Sequence, residues 1–415
     1  MLEFWQKGLI FMNIFAAMKK TEVKNAIIIG SLCSLSYLGV YFARNILGAV
    51  TPQIVNSGVY DESYIGTVSS LYFTFYAVGQ LINGLIGDKI NARIMISFGL
   101  ILAGITNFIF PIMLDNPDAA KFIYGMTGFF LSMIYAPMTK VVAENTEPIY
   151  ATRCSLGYTF ASFFGSPLAG IAAALLVWTS VFTVSSVILV VMGIICFIVF
   201  LSLEKKGIVK YNQFDKPKEE SKGSIKLLIE RQIIKFTLIA VITGIVRTTV
   251  VFWLPTYISQ YLGFSSETSA MLFTIATLVS SFTTFITVIV YEKLKRNMDH
   301  TILFAFILSS ASFLLVYLIK QPAINIILIV IAIMSSNGAA TMLWSRYCPS
   351  LKDTGKVSSA TGFLYFMSYM AAAASTTLFA NAVTSIGWKN LILVWTGIVF
   401  IGVIIALPRK IKKEI

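Results

Sequence analysis

Charge divides this chain into apolar runs of about 20 residues, each the length that crosses the hydrocarbon core of a bilayer as one helix. The runs lie near 25 to 50, 62 to 86, 93 to 114, 119 to 143, 151 to 176, 179 to 203, 232 to 258, 267 to 291, 300 to 320, 323 to 345, 356 to 381 and 388 to 408. The composition agrees: 57% of the 415 residues are hydrophobic, 12% are charged and the mean hydropathy is +0.81, whereas about 25% charged is usual for a soluble protein. The chain therefore reads as an all-α membrane protein with about 12 spans. Its net charge of +13 could suggest a nucleic-acid partner, but the cations are distributed between the apolar runs and no such partner is expected.

The distribution of these cations orients the chain. With a cytoplasmic N-terminus, the inside segments carry Lys7, Lys19, Lys20, Lys24, Lys89, Arg93, Lys140, Arg153, Lys293, Lys295, Arg296, Arg346, Lys352, Lys356, the central basic linker and Arg409 to Lys413, while the outside loops carry only Lys121, Lys320 and Lys389. Cytoplasmic loops hold the excess of Lys and Arg, so both termini are predicted cytoplasmic in a multi-pass protein of the cell membrane. Residues 1–24 read as an interfacial lead-in helix and not a cleaved signal, because no Ala-x-Ala type site precedes the next span. The four cysteines have no metal-type spacing and read as free thiols, and neither a metal nor a cofactor is expected.

A charged segment at 204–231 separates six spans (25–203) from six (232–408), with a short tail at 409–415. Many transporters consist of two related bundles with the substrate site between them near the midplane, and the two halves here share landmarks. Arg44 and Arg247 each lie eight residues before a proline, Pro52 and Pro255, and Asp88-Lys89 and Glu292-Lys293 follow the two arginines at nearly equal distances, closing the second helix of each half. The register places Arg44 and Arg247 at equivalent positions, facing one another across a central cavity. At 1.5 Å rise per residue Arg247 lies roughly 18 Å from Lys235, near the middle of the core. An unpaired guanidinium at that depth costs roughly 2.5 to 3.5 kcal/mol or more, so such residues normally face a polar cavity.

Tyr37, Tyr41 and Arg44 are four and three residues apart and share one helix face, as do Tyr76 and Gln80 on the second span. Polar and aromatic side chains on one stripe of an apolar helix suggest a cavity lining. The acids are equally telling. From Asp61, Glu62 and Asp88 through Glu292, Asp299 and Asp353, the carboxylates fall in loops or at span ends, so none is available inside to neutralise the arginines. Guanidiniums bind phosphate and carboxylate through paired hydrogen bonds, and the ligand is expected to carry one to two negative charges. The same census speaks against a proton relay and a cationic-drug exporter, and the absence of a Ser/His, Cys/His or multi-carboxylate cluster at membrane depth speaks against an enzyme.

Gly84, Asp88, Lys89 and Arg93, spaced as G-x-x-x-D-K-x-x-x-R after span two, resemble the cytoplasmic loop motif of the major facilitator superfamily, which implies a conformational latch here and two pseudo-symmetric six-helix bundles overall. Within that superfamily the chain is similar to the organophosphate:phosphate antiporter family. The resemblance rests on Tyr37-x3-Tyr41-x2-Arg44, Tyr76-x3-Gln80, Arg247 with Trp253-Leu254-Pro255-Thr256-Tyr257, and Thr361-Gly362-Phe363 leading to Tyr369. It implies that Arg44 and Arg247 grip an anion while Tyr37, Tyr41, Tyr76, Gln80 and Tyr369 line its path, with phosphate a possible counter-anion and the chain acting as a monomer.

The glycerol-3-phosphate member of that family has a lysine where this chain has Gln80, and a histidine in span five where this chain has only the Tyr158 to Pro167 stretch. Fewer positive groups imply a different or less charged anion. The expected function is secondary transport of a small organic anion, phosphorylated or carboxylated, by exchange. A cation-coupled symporter of the same fold and a non-transporting sugar-phosphate sensor are the alternatives.

Overall fold

A computed structural model describes residues 2–86, 90–113, 115–211, 225–351 and 357–407. The first half consists of α1 (Leu2–Asn56), α2 (Glu62–Ile86), α3 (Ala92–Ile109), α4 (Pro117–Leu131), α5 (Tyr135–Asn145), α6 (Pro148–Leu175) and α7 (Trp178–Lys205). A six-residue helix, α8 (Ile225–Glu230), lies in the linker. The second half contains α9 (Ile233–Gly244), α10 (Val251–Gln260), α11 (Ser266–Ser280), α12 (Thr283–Lys293), α13 (Met298–Leu318), α14 (Pro322–Met342), α15 (Cys348–Ser350) and α16 (Val357–Ala406).

Local chemistry sets many of the starts. Asn116, Ser265 and Asn297 cap α4, α11 and α13 by accepting from the backbone N–H three residues on, and prolines open α4, α6 and α14, where the missing N–H costs nothing. Ten helical segments among the described residues are long and apolar enough to cross a membrane, and Ala161–Leu175 is a shorter apolar one. The segment Ala360–Ala406 has 47 residues, roughly 70 Å of helix and more than twice the bilayer core. It turns back at Gly387, whose φ of 75° favours a residue without Cβ. Counting that segment twice gives the twelve spans of two six-helix bundles.

The structure departs from the sequence reading in several places. The lead-in segment and the first span are one continuous helix, and no proline or glycine lies between residues 9 and 29 to separate them. The fourth span breaks at Ser132–Ile134 into α4 and α5, and the eighth at Ser281–Phe282 into α11 and α12. The first break has a proline beside it, Pro137 in the first turn of α5, which cannot donate to the Met133 carbonyl, whereas the second has neither Gly nor Pro. In the seventh span the ladder widens to a π-helix over Ile245–Val250, and in the tenth over Leu343–Tyr347.

Small residues let the helices that carry the site approach closely. A methyl group at Gly165 of α6 would collide with the Tyr41 backbone of α1, three residues before Arg44. Between the halves, a methyl at Gly48 of α1 would come within 2.9 Å of the Phe252 ring of α10, and one at Gly170 of α6 within 2.9 Å of the Ala270 carbonyl of α11. In the small-residue run 371–374, Ala372 and Ala373 are buried, Ala374 is exposed, and the Ala372 carbonyl accepts from Thr249 Oγ1 at 3.1 Å.

Candidate functional site

A cavity of about 890 Å³ lies between the halves. Arg44, Arg247, Tyr37, Tyr41, Tyr76, Gln80 and Tyr369 all line it. Leu81, Ser345 and Gly362, toward the linker-side ends of their helices, are exposed and Gln80 is half-buried, so the cavity opens on the linker side. At the far end polar ties join the halves: Asn56 donates to Ser266 at 2.9 Å, Ser63 to Asn381 at 2.9 Å, Thr377 to the Gly66 carbonyl at 3.1 Å, and Gln260 to Glu62.

Arg44 is held by α1. That helix runs on through Pro52 to Asn56, so Arg44 lies twelve residues, roughly 18 Å, from its far end. This settles a depth that the sequence leaves open. Four rings surround the guanidinium at 4.9 to 5.5 Å: Tyr369, Tyr41, Tyr76 and Phe73. Such cation–π contacts are worth more where the cation is desolvated. Its Nη1 donates to the Tyr369 hydroxyl of α16 at 2.9 Å.

Arg247 lies in the π-helix between α9 and α10. Pro255, eight residues on, cannot donate to the carbonyl of Val251, and π-type widening next to such a defect is a common way to re-aim a functional side chain. Arg247 also lies within electrostatic range of Tyr369, Tyr41, Tyr365 and Arg44. Among the described residues it has no hydrogen-bond or carboxylate partner. Among the described residues the lining contains no Asp, Glu, His or Lys, and the ion pairs there join other cations: Arg93–Glu204, Lys121–Asp118, Lys235–Asp299 and Arg296–Glu292. Two fixed positive charges in a low-dielectric cavity are stabilised by an anion that accepts their hydrogen bonds.

The tyrosines form connected aromatic packing. Tyr37 packs edge-on to Tyr41 at 4.9 Å and tilted to Tyr135 at 5.5 Å, and Tyr76 meets Tyr369 edge-on at 5.0 Å. Tyr158 is buried behind Tyr37 at 6.1 Å and is not part of the lining, whereas Ser162, Phe163 and Ser166 of the same helix are. Of the seventh-span motif, Leu254 lines the cavity, Trp253 donates to the Thr376 carbonyl at 3.3 Å and Tyr257 donates to Asn325. Thr361 and Gly362 line the cavity, while Phe363 is exposed.

Sequence reasoning missed the opposite wall. Tyr365 and Trp344 stack at 3.9 Å, and Ser280, Ser281, Thr283, Thr284, Asn337 and Thr341 give this side hydroxyl and amide groups. Two signals were available: Tyr365 precedes Tyr369 by one helical turn, and Ser280-Ser281 with Thr283-Thr284 is a polar cluster within an apolar run.

The latch residues are placed only in part. Asp88 and Lys89 lie outside the described residues, as does the side-chain environment of Gly84, whose backbone belongs to α2. Arg93 pairs with Glu204 at the end of α7 at 2.7 Å and lies over the Phe197 ring at 5.1 Å. Tyr211, just past α7, donates to the other Glu204 oxygen at 2.6 Å. Burial, together with that bond and the carboxylate's charge, pushes the Tyr211 hydroxyl well above the usual tyrosine range.

Twelve spans in two bundles around a cavity open to one side define a membrane transporter. The chain belongs to the Major Facilitator Superfamily, whose profile matches residues 33–376. It is 36% identical to the membrane sensor protein UhpC of Salmonella typhimurium over 76 residues, 18% of this chain and 17% of that protein. It is 24% identical to the glycerol-3-phosphate transporter of Bacillus subtilis over 257 residues, 57% of this chain and 58% of that protein. The matched stretches thus span less than two thirds of either relative. Among solved structures, a bacterial homologue of the human lysosomal transporter Spinster, inward-facing and unoccupied, superposes with a TM-score of 0.70 at 12% identity, covering 92% of this chain and 96% of that one.

Proposed function

We propose that this protein is a secondary transporter that exchanges small organic anions, phosphorylated or carboxylated, by alternating access, with phosphate as a counter-anion. The observation that carries the reading is the pair Arg44 and Arg247 on one cavity whose lining, among the described residues, contains no carboxylate. An anion bridging the two guanidiniums relieves their repulsion and draws the halves together, and Tyr37, Tyr41, Tyr76, Gln80 and Tyr369 surround it. The similarity to a glycerol-3-phosphate transporter supports a phosphorylated ligand. Exchange needs no titrating group in the wall, which favours it over proton-coupled symport.

The excess of cations at the linker side supports a cytoplasmic linker and cytoplasmic termini in the cell membrane, with a single chain as the working unit. The cavity then faces the cytoplasm. Uptake of glycerol 3-phosphate and of gluconate into phosphate-loaded proteoliposomes tests the reading through Arg44→Lys and Arg247→Lys. Loss of exchange in both variants is expected, and undiminished exchange in both sinks it.

A second reading is favoured by the match to a membrane sensor: the same site binds a sugar phosphate and signals without flux. Ligand-induced thermal stabilisation without counterflow would select that reading.

A further inference from the structure

The bond from Arg44 to Tyr369 joins the two halves inside the cavity itself, between α1 of one and α16 of the other. A phenol thus takes a guanidinium hydrogen bond that an anion, with its own charge and paired acceptor oxygens, would take more strongly. Tyr369 is also rigidly connected to the closed end. Eight residues on along the same helix, with no break before Gly387, Thr377 donates to the Gly66 carbonyl of α2, and four residues further Asn381 accepts from Ser63. The same helix is fixed to the segment that bears Arg247. Thr249 bonds to the Ala372 carbonyl at 3.1 Å and to Ser375 at 2.7 Å, and Trp253 donates to the Thr376 carbonyl.

We propose that the Tyr369 hydroxyl is a built-in competitor for the transported anion: it occupies Arg44 in the empty carrier and ties the halves in the far-side-closed arrangement until an anion displaces it. This rests on the anion-site reading above. An incoming anion exchanges an Arg44–phenol bond for an Arg44–anion–Arg247 bridge, and the loss of the phenol tie is transmitted along α16 to the contacts at Gly66 and Ser63. The empty carrier is thereby kept from switching unloaded, as exchange requires.

The test is Tyr369→Phe, which keeps the ring packing against Phe73, Tyr76 and Tyr365 and removes only the hydroxyl. Spin labels at Ser57 and Ser385, exposed on the far ends of the two halves, report opening as a longer distance. Inorganic phosphate, glycerol 3-phosphate and gluconate serve in turn as the anion. The native carrier should show the short distance alone and gain the longer one with anion. Tyr369→Phe should populate the longer distance without anion and bind the anion about 3- to 10-fold more tightly, the range expected when one competing hydrogen bond is removed. Arg44→Gln breaks the same bond from its other end and should also open without anion while binding none.

Short distances in both ligand-free variants, or weaker anion binding by Tyr369→Phe, overturn the competitor role and leave the anion site standing. Failure of all three anions to bind the native carrier removes both.

Discussion

Asn56 Nδ2 donates to Ser266 Oγ at 2.9 Å, joining the last residue of α1 to the first of α11 across the two halves. Both groups are short, and both belong to helices that reach the cavity, through Arg44 on α1 and Ser280 on α11. The separation of these two residues is therefore a direct measure of which side is closed. With the Glu62–Gln260 and Ser63–Asn381 bonds beside it, the tie accounts for a cavity that opens on the linker side.

Cross-linking should convert that tie into a block. A short thiol-reactive linker between Asn56→Cys and Ser266→Cys is expected to abolish exchange in proteoliposomes, with recovery when a cleavable linker is cut. The four native cysteines are buried and should contribute little labelling. Unimpaired exchange in fully cross-linked protein would mean that the far side does not open during the cycle.

The span count, the two halves and the arginine pair were legible in the sequence because each leaves a long-range trace: apolar length, a charged divider and matched Arg-to-Pro spacing. The cavity-facing stripe of α1 was legible because polar residues on an apolar helix have few other uses. The break at Ser281–Phe282 was not, since serine-containing segments tolerate both helix and turn in a membrane and no glycine or proline marks it, whereas the break at Ser132–Ile134 had a signal in Pro137 that the apolar length of the span outweighed. Arg93 illustrates another limit. Motif spacing directs attention to Asp88, whereas the carboxylate that Arg93 reaches is Glu204, 111 residues away in the chain and adjacent only because α3 packs on α7.

Gln80→Lys should shift selectivity. Gln80 is half-buried near the cavity mouth, so a lysine there keeps contact with water and adds a third positive charge to the path of the anion. A favourable interaction of about 1 kcal/mol at high effective dielectric corresponds to about a fivefold lower KM for a doubly charged phosphate ester, with less effect on a monocarboxylate. Uptake competition at low and high salt measures it, the gain shrinking as salt screens the added charge. Equal gains for both anions would argue that Gln80 does not sense ligand charge.

Arg93→Ala tests whether that arginine supports stability or switching. The side chains of the pair are 17% and 20% exposed, so removing the arginine leaves a largely buried carboxylate with Tyr211 as its remaining partner, at a cost of about 1 to 3 kcal/mol. Arg93→Lys should recover part of the loss. Thermal unfolding in detergent should show a lower transition temperature with KM unchanged. A variant of native stability but reduced turnover would instead assign Arg93 to the latch that its motif suggests.

The pH dependence of exchange should belong to the ligand. Arginine, tyrosine, serine, threonine and amide side chains, the polar residue types lining the cavity, do not ordinarily titrate between about pH 5.5 and 8. A phosphate monoester does, with a second pKa of about 6. Two guanidiniums favour the dianion, so the apparent KM for a phosphate ester should rise as the pH falls below about 6, in proportion to the dianion lost. A sulfonate of similar size, singly charged throughout this range, should show a flat profile in the same proteoliposomes. Sulfonate uptake that climbs as the external pH is lowered would reveal a proton moving with the anion, and would replace exchange by symport.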